Sequence, residues 1–310
     1  MLRCCSKPIC ERLKWNLIKR CFIVSKLKCS SLAMTEAIEK SSRLTEGKLI
    51  ILEGNIAAGK STLSKRLGEY FNYVIFEEPA PKNPYLAKFY KEPRKYALKL
   101  QLWLFEQRYL MYINGLKHIL ETGQGVVLDR SVYSDLVFTN VIFEDGNMSH
   151  NGYQYYLNVR EKAMENIPAP FAAIYLNVSP KVCFDRIVKR GREYEQTIPL
   201  DYLDRLGKEH EAVFSSVREN DMFPVISYDW SDFGRDPEKE PISQDSNGPS
   251  PLYTSGFNKI IADIEEIARK REWEASISKR FIDNEVTSEF LSTELTVDGY
   301  EDISHEIPDE

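Results

Sequence analysis

A glycine-rich segment that ends in a lysine and two hydroxyl residues is the part of the sequence best suited to chemistry. It reads Gly-x-x-x-x-Gly-Lys-Ser, directly after an apolar run and directly before a helical pattern. In such loops the backbone N–H groups surround phosphate oxygens, aided by the positive end of the helix dipole. The lysine reaches the β- and γ-phosphates, and the serine hydroxyl ligates Mg²⁺. The predicted phosphate-binding residues are Gly54, Asn55, Ile56, Ala57, Ala58, Gly59, Lys60, Ser61 and Thr62.

Two acidic positions could handle the proton and the metal of a phosphoryl transfer. Glu77-Glu78-Pro79 follows a second apolar run, and Asp129-Arg130-Ser131 follows a third. Transfer to a hydroxyl needs a proton acceptor, and a carboxylate at a strand end facing the phosphate loop can serve. Asp129 is well placed to hold Mg²⁺, directly or through water, and Arg130 to neutralise phosphate charge. An acidic pair at a strand end is also common as a helix cap or a solvated turn.

An arginine-rich run precedes Ile198-Pro199-Leu200 and contains Arg186, Arg190 and Arg192. Most runs of charged residues are solvated faces of helices, but Arg-Gly-Arg followed by Ile-Pro-Leu is too specific a pattern for that interpretation. Arginines beside a transferring phosphate offset the charge of the transition state, and a segment that closes over it excludes water. These arginines are therefore candidates for binding a transferring phosphate.

Alternating strand and helix patterns must position these side chains. The predicted strands are 48–53, 73–76, 126–129, 171–178 and 223–228. The predicted helices are 61–71, 96–122, 152–166, 179–189 and 257–271. This alternation predicts an α/β fold with a parallel, doubly wound sheet, whose ligand lies at the carboxyl ends of the strands.

The first 33 residues differ in charge from the rest of the chain. They hold eight Lys or Arg and one acidic residue, with apolar residues between the basic ones. A basic, acid-poor leader of this kind is typical of a mitochondrial transit peptide, which would place the protein in the matrix. The alternative is a basic arm that contacts nucleic acid or anionic lipid. Met34 could start a form without the leader.

Residues 34–310 carry an excess of negative charge, with 33 basic and 46 acidic side chains and a formal net charge of −13. Such a surface repels a nucleic-acid backbone, which argues against a polymeric nucleic-acid ligand. No apolar run approaches the roughly 20 residues that a transmembrane segment needs. Cys183 is the one cysteine after the leader, so no intrachain disulfide is available there.

Composition divides the chain into four predicted parts. These are the leader 1–33, a linker 34–47, a domain 48–273 and an acidic tail 274–310. Residues 231–256 are rich in Pro, Gly, Ser, Asp and Glu, which predicts a loop insertion within the domain.

From about Lys48 to Phe233 the sequence resembles the deoxyribonucleoside kinases, which phosphorylate the 5′-hydroxyl of deoxynucleosides. The resemblance is carried by the phosphate loop, the Glu-Glu-Pro turn and residues 83–101, 129–135 and 186–203, in the family's order. It implies a P-loop kinase fold with a five-stranded parallel sheet, helices on both faces and an arginine-rich lid. It also implies ATP and Mg²⁺, a deoxynucleoside substrate and a homodimer.

The resemblance assigns roles to single residues. Glu78 matches the general base, and Tyr90 and Glu195 match side chains that hold the sugar 3′-hydroxyl. Gln101 matches a residue whose amide reads the base edge, since an amide both donates and accepts hydrogen bonds. Arg186 matches a side chain that packs on the adenine of ATP.

Arg108 and Asp135 match the pair that shapes the base pocket in these kinases. Members that accept cytosine or purine bases tend to have both charged residues, and members that prefer thymidine have smaller or apolar ones. The resemblance therefore favours a deoxypurine or deoxycytidine substrate.

One branch of the family is not catalytic: the kinase-like accessory subunit of mitochondrial respiratory complex I. Residues 116–138 look closer to that subunit, and Tyr228-Asp229-Trp230 and the leader lean the same way. That subunit usually has a long insertion before the long helix and often an eroded phosphate loop or lid. Here the segment 83–101 is compact, and the loop and lid are intact, so we prefer an active kinase. Complex I subunits would be the partners in the alternative.

A third interpretation, a GTPase-like switch, requires a guanine-reading Asn-Lys-x-Asp motif. The sequence has none.

Overall fold

The computed structural model describes residues 45–77, 82–165, 167–192, 195–234 and 255–273. The strands are β1 (Leu49–Gly54), β2 (Val74–Phe76), β3 (Val126–Asp129), β4 (Ala172–Asn177) and β5 (Val225–Asp229). The helices are α1 (Lys60–Phe71), α2 (Leu86–Lys91), α3 (Pro93–Thr122), α4 (Val132–Glu144), α5 (His150–Met164), α6 (Pro180–Arg190), α7 (Leu200–Glu219) and α8 (Ser255–Lys270).

The five strands form one parallel sheet in the order β2-β3-β1-β4-β5. All six residues of β1 are buried, as expected for a central strand covered by helices on both faces. The predicted α/β fold with a five-stranded parallel sheet is therefore confirmed. In the register, Leu52 pairs with Asp129 and Gly54 pairs with Leu176, so the carboxyl ends of three strands meet at one edge.

The sequence patterns located each strand to within two residues but missed the helices α2, α4 and α7. Helix α4 is apolar on most sides and lacks a period, as buried helices do. Helix α7 carried a signal: its buried residues Leu203, Leu206, His210 and Phe214 recur at helical spacing. Helix α3 begins at Pro93, earlier than predicted, because proline is well suited to the first helical turn.

Several predicted segments lie outside the described residues. These are the leader 1–33, most of the linker, the centre of the loop insertion, the acidic tail and Glu78. Within the described part, no helix is long and apolar enough to cross a membrane.

Candidate active site

The phosphate loop leaves the end of β1 in a conformation that requires glycine. Gly54 has φ 141°, and a Cβ atom there would lie 2.6 Å from the carbonyl oxygen of Leu176. Gly59 caps α1 with φ 101°, a left-handed value that residues with a side chain rarely adopt. The loop therefore turns sharply from the central strand into the start of α1, where free backbone N–H groups can bind an anion.

Lys60 is buried, and its ammonium donates to backbone carbonyls of the same loop. The Nζ–O distances are 2.8 Å to Asn55 and 3.2 Å to Gly54. The Asn55 side chain accepts from the N–H of Ile56 at 2.8 Å and donates to the carbonyl of Leu203 at 2.7 Å. The loop is thus held both internally and against the first turn of α7.

Ser61 and Asp129 meet beside the phosphate loop although 68 residues separate them. The Ser61 hydroxyl donates to Oδ2 of Asp129 at 2.5 Å. The side chains of Ser61 and Asp129 both offer oxygen atoms, the ligands that Mg²⁺ prefers. A protein-bound Mg²⁺ usually has one or two such ligands together with substrate phosphates and water. The two residues therefore fit the predicted Mg²⁺ site, while no group of three His, Cys, Asp or Glu among the described residues forms a metal cage.

Arg130 follows β3 in a left-handed backbone conformation with φ 69°. Its N–H donates to the carbonyl of Leu52 at 3.0 Å, so the sheet edge fixes this conformation. The guanidinium is buried, with its central carbon 4.7 Å from the ring centroid of Phe138, and it lines the cavity beside the loop. A left-handed residue at a strand end is the kind of constrained position found at functional sites.

Glu53, the residue before the phosphate loop, is buried beneath the site. The Ser131 hydroxyl donates to its Oε1 at 2.5 Å and also caps α4 by accepting from the N–H of Tyr133. Burial raises the pKa of Glu53 from 4.5 to about 7, while Ser131, Ser134 and Arg130 oppose the rise. Sequence reasoning missed this carboxylate because it reads as part of an apolar strand.

One cavity of about 700 Å³ extends from the phosphate loop to a largely apolar chamber. The chamber is lined by Leu86, Phe89, Leu100, Leu104, Phe138, Ile142, Ile198 and Tyr202. Tyr90, Gln101 and Arg108 add polar groups to its lining. A pocket that is mostly apolar with a few convergent polar groups is the usual form of a small-molecule site.

The floor of this chamber is a buried ion pair. The Arg108 guanidinium donates to Oδ1 of Asp135, and the Tyr156 hydroxyl donates to Oδ2 at 2.6 Å. Burial and the neighbouring carboxylate raise the pKa of Tyr156 well above its usual value, so the hydroxyl keeps its proton. Gln101, also buried, accepts from the Thr139 hydroxyl at 3.4 Å. Arg108 and Gln101 line the cavity, and Asp135 lies behind Arg108.

The arginine-rich run lies over the opposite side of the cavity. Glu195 accepts from Nε of Arg190 at 3.1 Å and from Nη1 of Arg192 at 3.3 Å. Both guanidinium groups line the cavity, and they are 33% and 45% exposed. The run therefore presents two cations to the phosphate loop, held by one carboxylate.

Arg186 ties the phosphate loop to the segment after β5. Its guanidinium donates to the carbonyl of Ala58 at 3.0 Å and of Trp230 at 2.9 Å. Its central carbon lies 4.1 Å from the ring centroid of Phe233, so an aromatic ring packs on it. The role predicted for Arg186, packing on the adenine of ATP, would use the same guanidinium plane.

A model of the deoxynucleoside kinase family matches residues 50–244, more than half of the chain. The protein belongs to the deoxynucleoside kinase family. The deoxyguanosine kinase of Dictyostelium discoideum is 44% identical over 202 residues, which cover 65% of this chain and 70% of that protein. The structure of M. mycoides deoxyadenosine kinase with bound dCTP superposes with a TM-score of 0.52. It is 29% identical and covers 60% of this chain and 91% of that one.

The complex I branch of this family is also similar to the chain. NADH dehydrogenase [ubiquinone] 1 alpha subcomplex subunit 10, mitochondrial, from Bos taurus is 32% identical over 211 residues. The match covers 61% of this chain and 62% of that subunit. Both relatives that the sequence patterns suggested are therefore found.

Most of the predicted site residues line the cavity beside the phosphate loop. Those that do are Ile56, Ala57, Gly59, Lys60, Ser61, Thr62, Tyr90, Gln101, Arg108, Asp129, Arg130, Arg186, Arg190, Arg192 and Glu195. Gly54, Asn55 and Ala58 shape the phosphate loop, and Glu78 is outside the described residues. Sequence reasoning missed Glu53, Tyr156 and His210, since nothing local marks a residue whose partner is distant in the chain.

Proposed function

We propose that the protein transfers the γ-phosphoryl group of ATP to the 5′-hydroxyl of a deoxynucleoside. The observation that carries this proposal is the single cavity that joins the phosphate loop to the chamber floored by Arg108 and Gln101. A nucleotide switch needs a site for one nucleotide, whereas a kinase also needs room for an acceptor opposite the phosphates.

In the proposed reaction, the phosphate loop and Lys60 bind the β- and γ-phosphates of ATP. Ser61 and Asp129 would hold Mg²⁺, which neutralises phosphate charge when bound. Glu78 takes the proton of the 5′-hydroxyl as that oxygen attacks. The place of Glu78 in the sequence, two residues after the end of β2, supports this assignment.

Three arginines would stabilise the transferring phosphoryl group. Arg130 approaches from the sheet edge, and Arg190 and Arg192 from the lid. Because catalysis of phosphoryl transfer is mostly positioning and electrostatic stabilisation, cations on two sides of the γ-phosphate suit it. When the lid closes, water is excluded and hydrolysis of ATP is suppressed.

The acceptor would lie in the apolar chamber with its base on the floor. Gln101 and the donor groups of Arg108 suit the ring acceptors of a purine, and an amide also suits cytosine. Tyr90 and Glu195 would hold the sugar 3′-hydroxyl, and Arg186 would pack on the ATP adenine. We therefore propose a purine deoxynucleoside or deoxycytidine as substrate, and the similarity to a deoxyguanosine kinase supports a purine.

Mitochondrial nucleotide salvage is the proposed setting, with the kinase acting as a homodimer in the matrix. The basic, acid-poor leader supports import. A second candidate, a nucleotide-binding accessory subunit of complex I without catalysis, is favoured by the similarity to the Bos taurus subunit. The two candidates differ in turnover.

A steady-state kinase assay tests the proposal. Protein comprising residues 34–310 is supplied with ATP and Mg²⁺ and with deoxyadenosine, deoxyguanosine, deoxycytidine or thymidine in turn. We expect turnover on at least one of the first three, abolished by Lys60→Ala. Tight ATP binding with no turnover on any of the four would favour the complex I subunit.

The Glu-Glu pair offers a matched test of the base. We expect Glu78→Gln to lower kcat by about 10²–10⁴ with ATP binding intact, the usual range for loss of a general base. Glu77→Gln is the control: Glu77 also lines the cavity, but its carboxylate forms an exposed ion pair with Lys65 at 3.9 Å, worth little, so the loss of kcat should be much smaller. Equal rates for Glu78→Gln and the unmodified protein would remove Glu78 from the mechanism.

A further inference from the structure

A buried histidine on α7 contacts the buried arginine at the end of β3. Nε2 of His210 lies 3.4 Å from Nη1 of Arg130, and 80 residues separate the two in the chain. Both side chains are almost completely buried. Neither the proposed reaction nor the sequence motifs use this histidine.

The neighbours of His210 define its protonation. Arg130 can only donate, so Nε2 must be the ring nitrogen that accepts and carries no proton. Nδ1 lies 2.7 Å from the carbonyl oxygen of Leu206, one turn earlier in α7, and that oxygen can only accept. The proton is therefore on Nδ1, and the ring is neutral.

Electrostatics agree with this assignment. Burial lowers the pKa of His210 well below its usual value, and the charges of Arg130, Lys60 and Arg108 lower it further. The hydrogen bond to Leu206 is too weak an opposing effect to restore it. The imidazole thus stays a hydrogen-bond acceptor for Arg130 across the neutral pH range.

Packing fixes the plane of the ring. The ring of Tyr175, from β4, stacks on it at 17° with centroids 6.1 Å apart. Phe138, from α4, meets it edge-on at 85° and also packs under the Arg130 guanidinium. A ring held on two sides, with both nitrogens engaged, gives Arg130 one defined direction of approach.

We propose that His210 is a positioning residue that aims the Arg130 guanidinium at the transferring phosphoryl group. The proposal rests on the proposed function, in which Arg130 stabilises that group. Because α7 directly follows the lid and also accepts the Asn55 hydrogen bond through Leu203, the same helix orients both the arginine and the phosphate loop. A displacement of about 1 Å in such a group can cost roughly 100-fold in rate.

Two substitutions of His210 distinguish the role of Nε2 from the role of Nδ1. Gln places an amide oxygen near the position of Nε2, so His210→Gln retains an acceptor for Arg130. Asn reaches only as far as Nδ1, so His210→Asn retains the donor to Leu206 and loses the acceptor. We expect His210→Asn to lower kcat by about 10- to 100-fold, with KM for both substrates within about twofold. His210→Gln should recover a large part of that loss.

The decisive measurement is a double-mutant cycle with Arg130→Ala. If His210 acts through Arg130, adding His210→Asn to Arg130→Ala should change kcat by less than about twofold. The same loss in both backgrounds would overturn the proposal, as would an unchanged kcat for His210→Asn alone. His118→Asn, a change at a part-exposed histidine that does not line the cavity, is the control and should leave kcat unchanged.

Nitrogen NMR of the imidazole tests the tautomer directly in the folded protein, without relying on turnover. In the folded full-length protein, His210 should show a protonated Nδ1 and an unprotonated Nε2. The Nε2 resonance should move in Arg130→Ala, while the Nδ1 resonance should stay. Absence of turnover by the unmodified protein would refute the proposed function, whereas a protonated Nε2 would refute the role of His210.

Discussion

The floor and the lid of the cavity both rest on a carboxylate bound to guanidinium, but in different surroundings. Asp135 and Arg108 in the floor are 0% and 1% exposed. In the lid, Glu195 is 8% exposed, while its partners Arg190 and Arg192 are 33% and 45% exposed. The same chemistry is therefore buried at one end of the site and partly open to water at the other.

This difference determines what each pair can do. A buried pair is costly to break, because the remaining charge loses its compensation where water cannot reach it. A pair near water loses little when it opens, because solvent replaces the partner. The floor is thus suited to a fixed shape that discriminates between bases. The lid is suited to exchanging Glu195 for phosphate oxygens as the substrates bind.

The largest effect is expected from breaking the floor. Asp135→Ala leaves the Arg108 guanidinium buried without this carboxylate, which we expect to cost about 3–5 kcal/mol in the free energy of unfolding. The melting temperature should fall by about 10 °C for a domain of this size. Urea unfolding followed by circular dichroism measures the loss.

The control for the floor is an ion pair on the surface. Glu211→Ala removes the carboxylate that binds Arg218, where the side chains are 50% and 33% exposed. We expect a change below about 1 kcal/mol. Equal losses for the two variants would show that burial does not distinguish these pairs. The double variant Arg108→Met/Asp135→Ala should be more stable than Asp135→Ala, since it removes the buried charge as well.

A second, smaller effect is expected from the buried carboxylate of Glu53, the residue before the phosphate loop. Its pKa in the folded state is about 7, above the ordinary 4.5, so the folded state binds the proton more tightly. Stability from this group is complete below about pH 4.5 and is lost as pH rises through 7. The difference corresponds to a loss on the order of 3 kcal/mol by pH 8.

Glu53→Gln removes this titration. We expect the stability of the variant, relative to the unmodified protein, to rise between pH 5 and pH 8. Urea unfolding at both pH values measures it, and Glu266→Gln on the exposed face of α8 is the control. A parallel pH dependence in the variant and the unmodified protein would contradict the assignment.

The smallest effect on stability is expected in the lid. Because Arg192 is 45% exposed, Arg192→Ala should change the free energy of unfolding by less than about 1 kcal/mol. Its effect should appear in kcat instead, since the guanidinium faces the phosphate loop. A destabilisation as large as that of Asp135→Ala would mean that the lid is as rigid as the floor.

The strands could be predicted because the sequence of a buried parallel strand is a short apolar run between turn residues. The phosphate loop could be predicted because its chemistry is local: Gly54, Gly59, Lys60 and Ser61 lie within eight residues. Helix α4 could not, because a helix buried on most sides has no polar face to give it a period. Helix α7 had that period and was overlooked.

By itself, the sequence determined the α/β fold and supplied the candidate phosphate loop and candidate side chains for a phosphoryl transfer. The reason is that backbone conformation and hydrophobic burial depend on residues that are close in the chain. Only the tertiary structure decided that Ser131 binds Glu53 and that His210 meets Arg130. Those partners are 78 and 80 residues apart. Pairing of β1 with β3 brings Ser131 to Glu53, and packing of α7 against the end of β3 brings His210 to Arg130. The tertiary structure also decided the ionisation of Glu53 and His210, because a pKa depends on burial and on neighbouring charges that the chain order does not reveal.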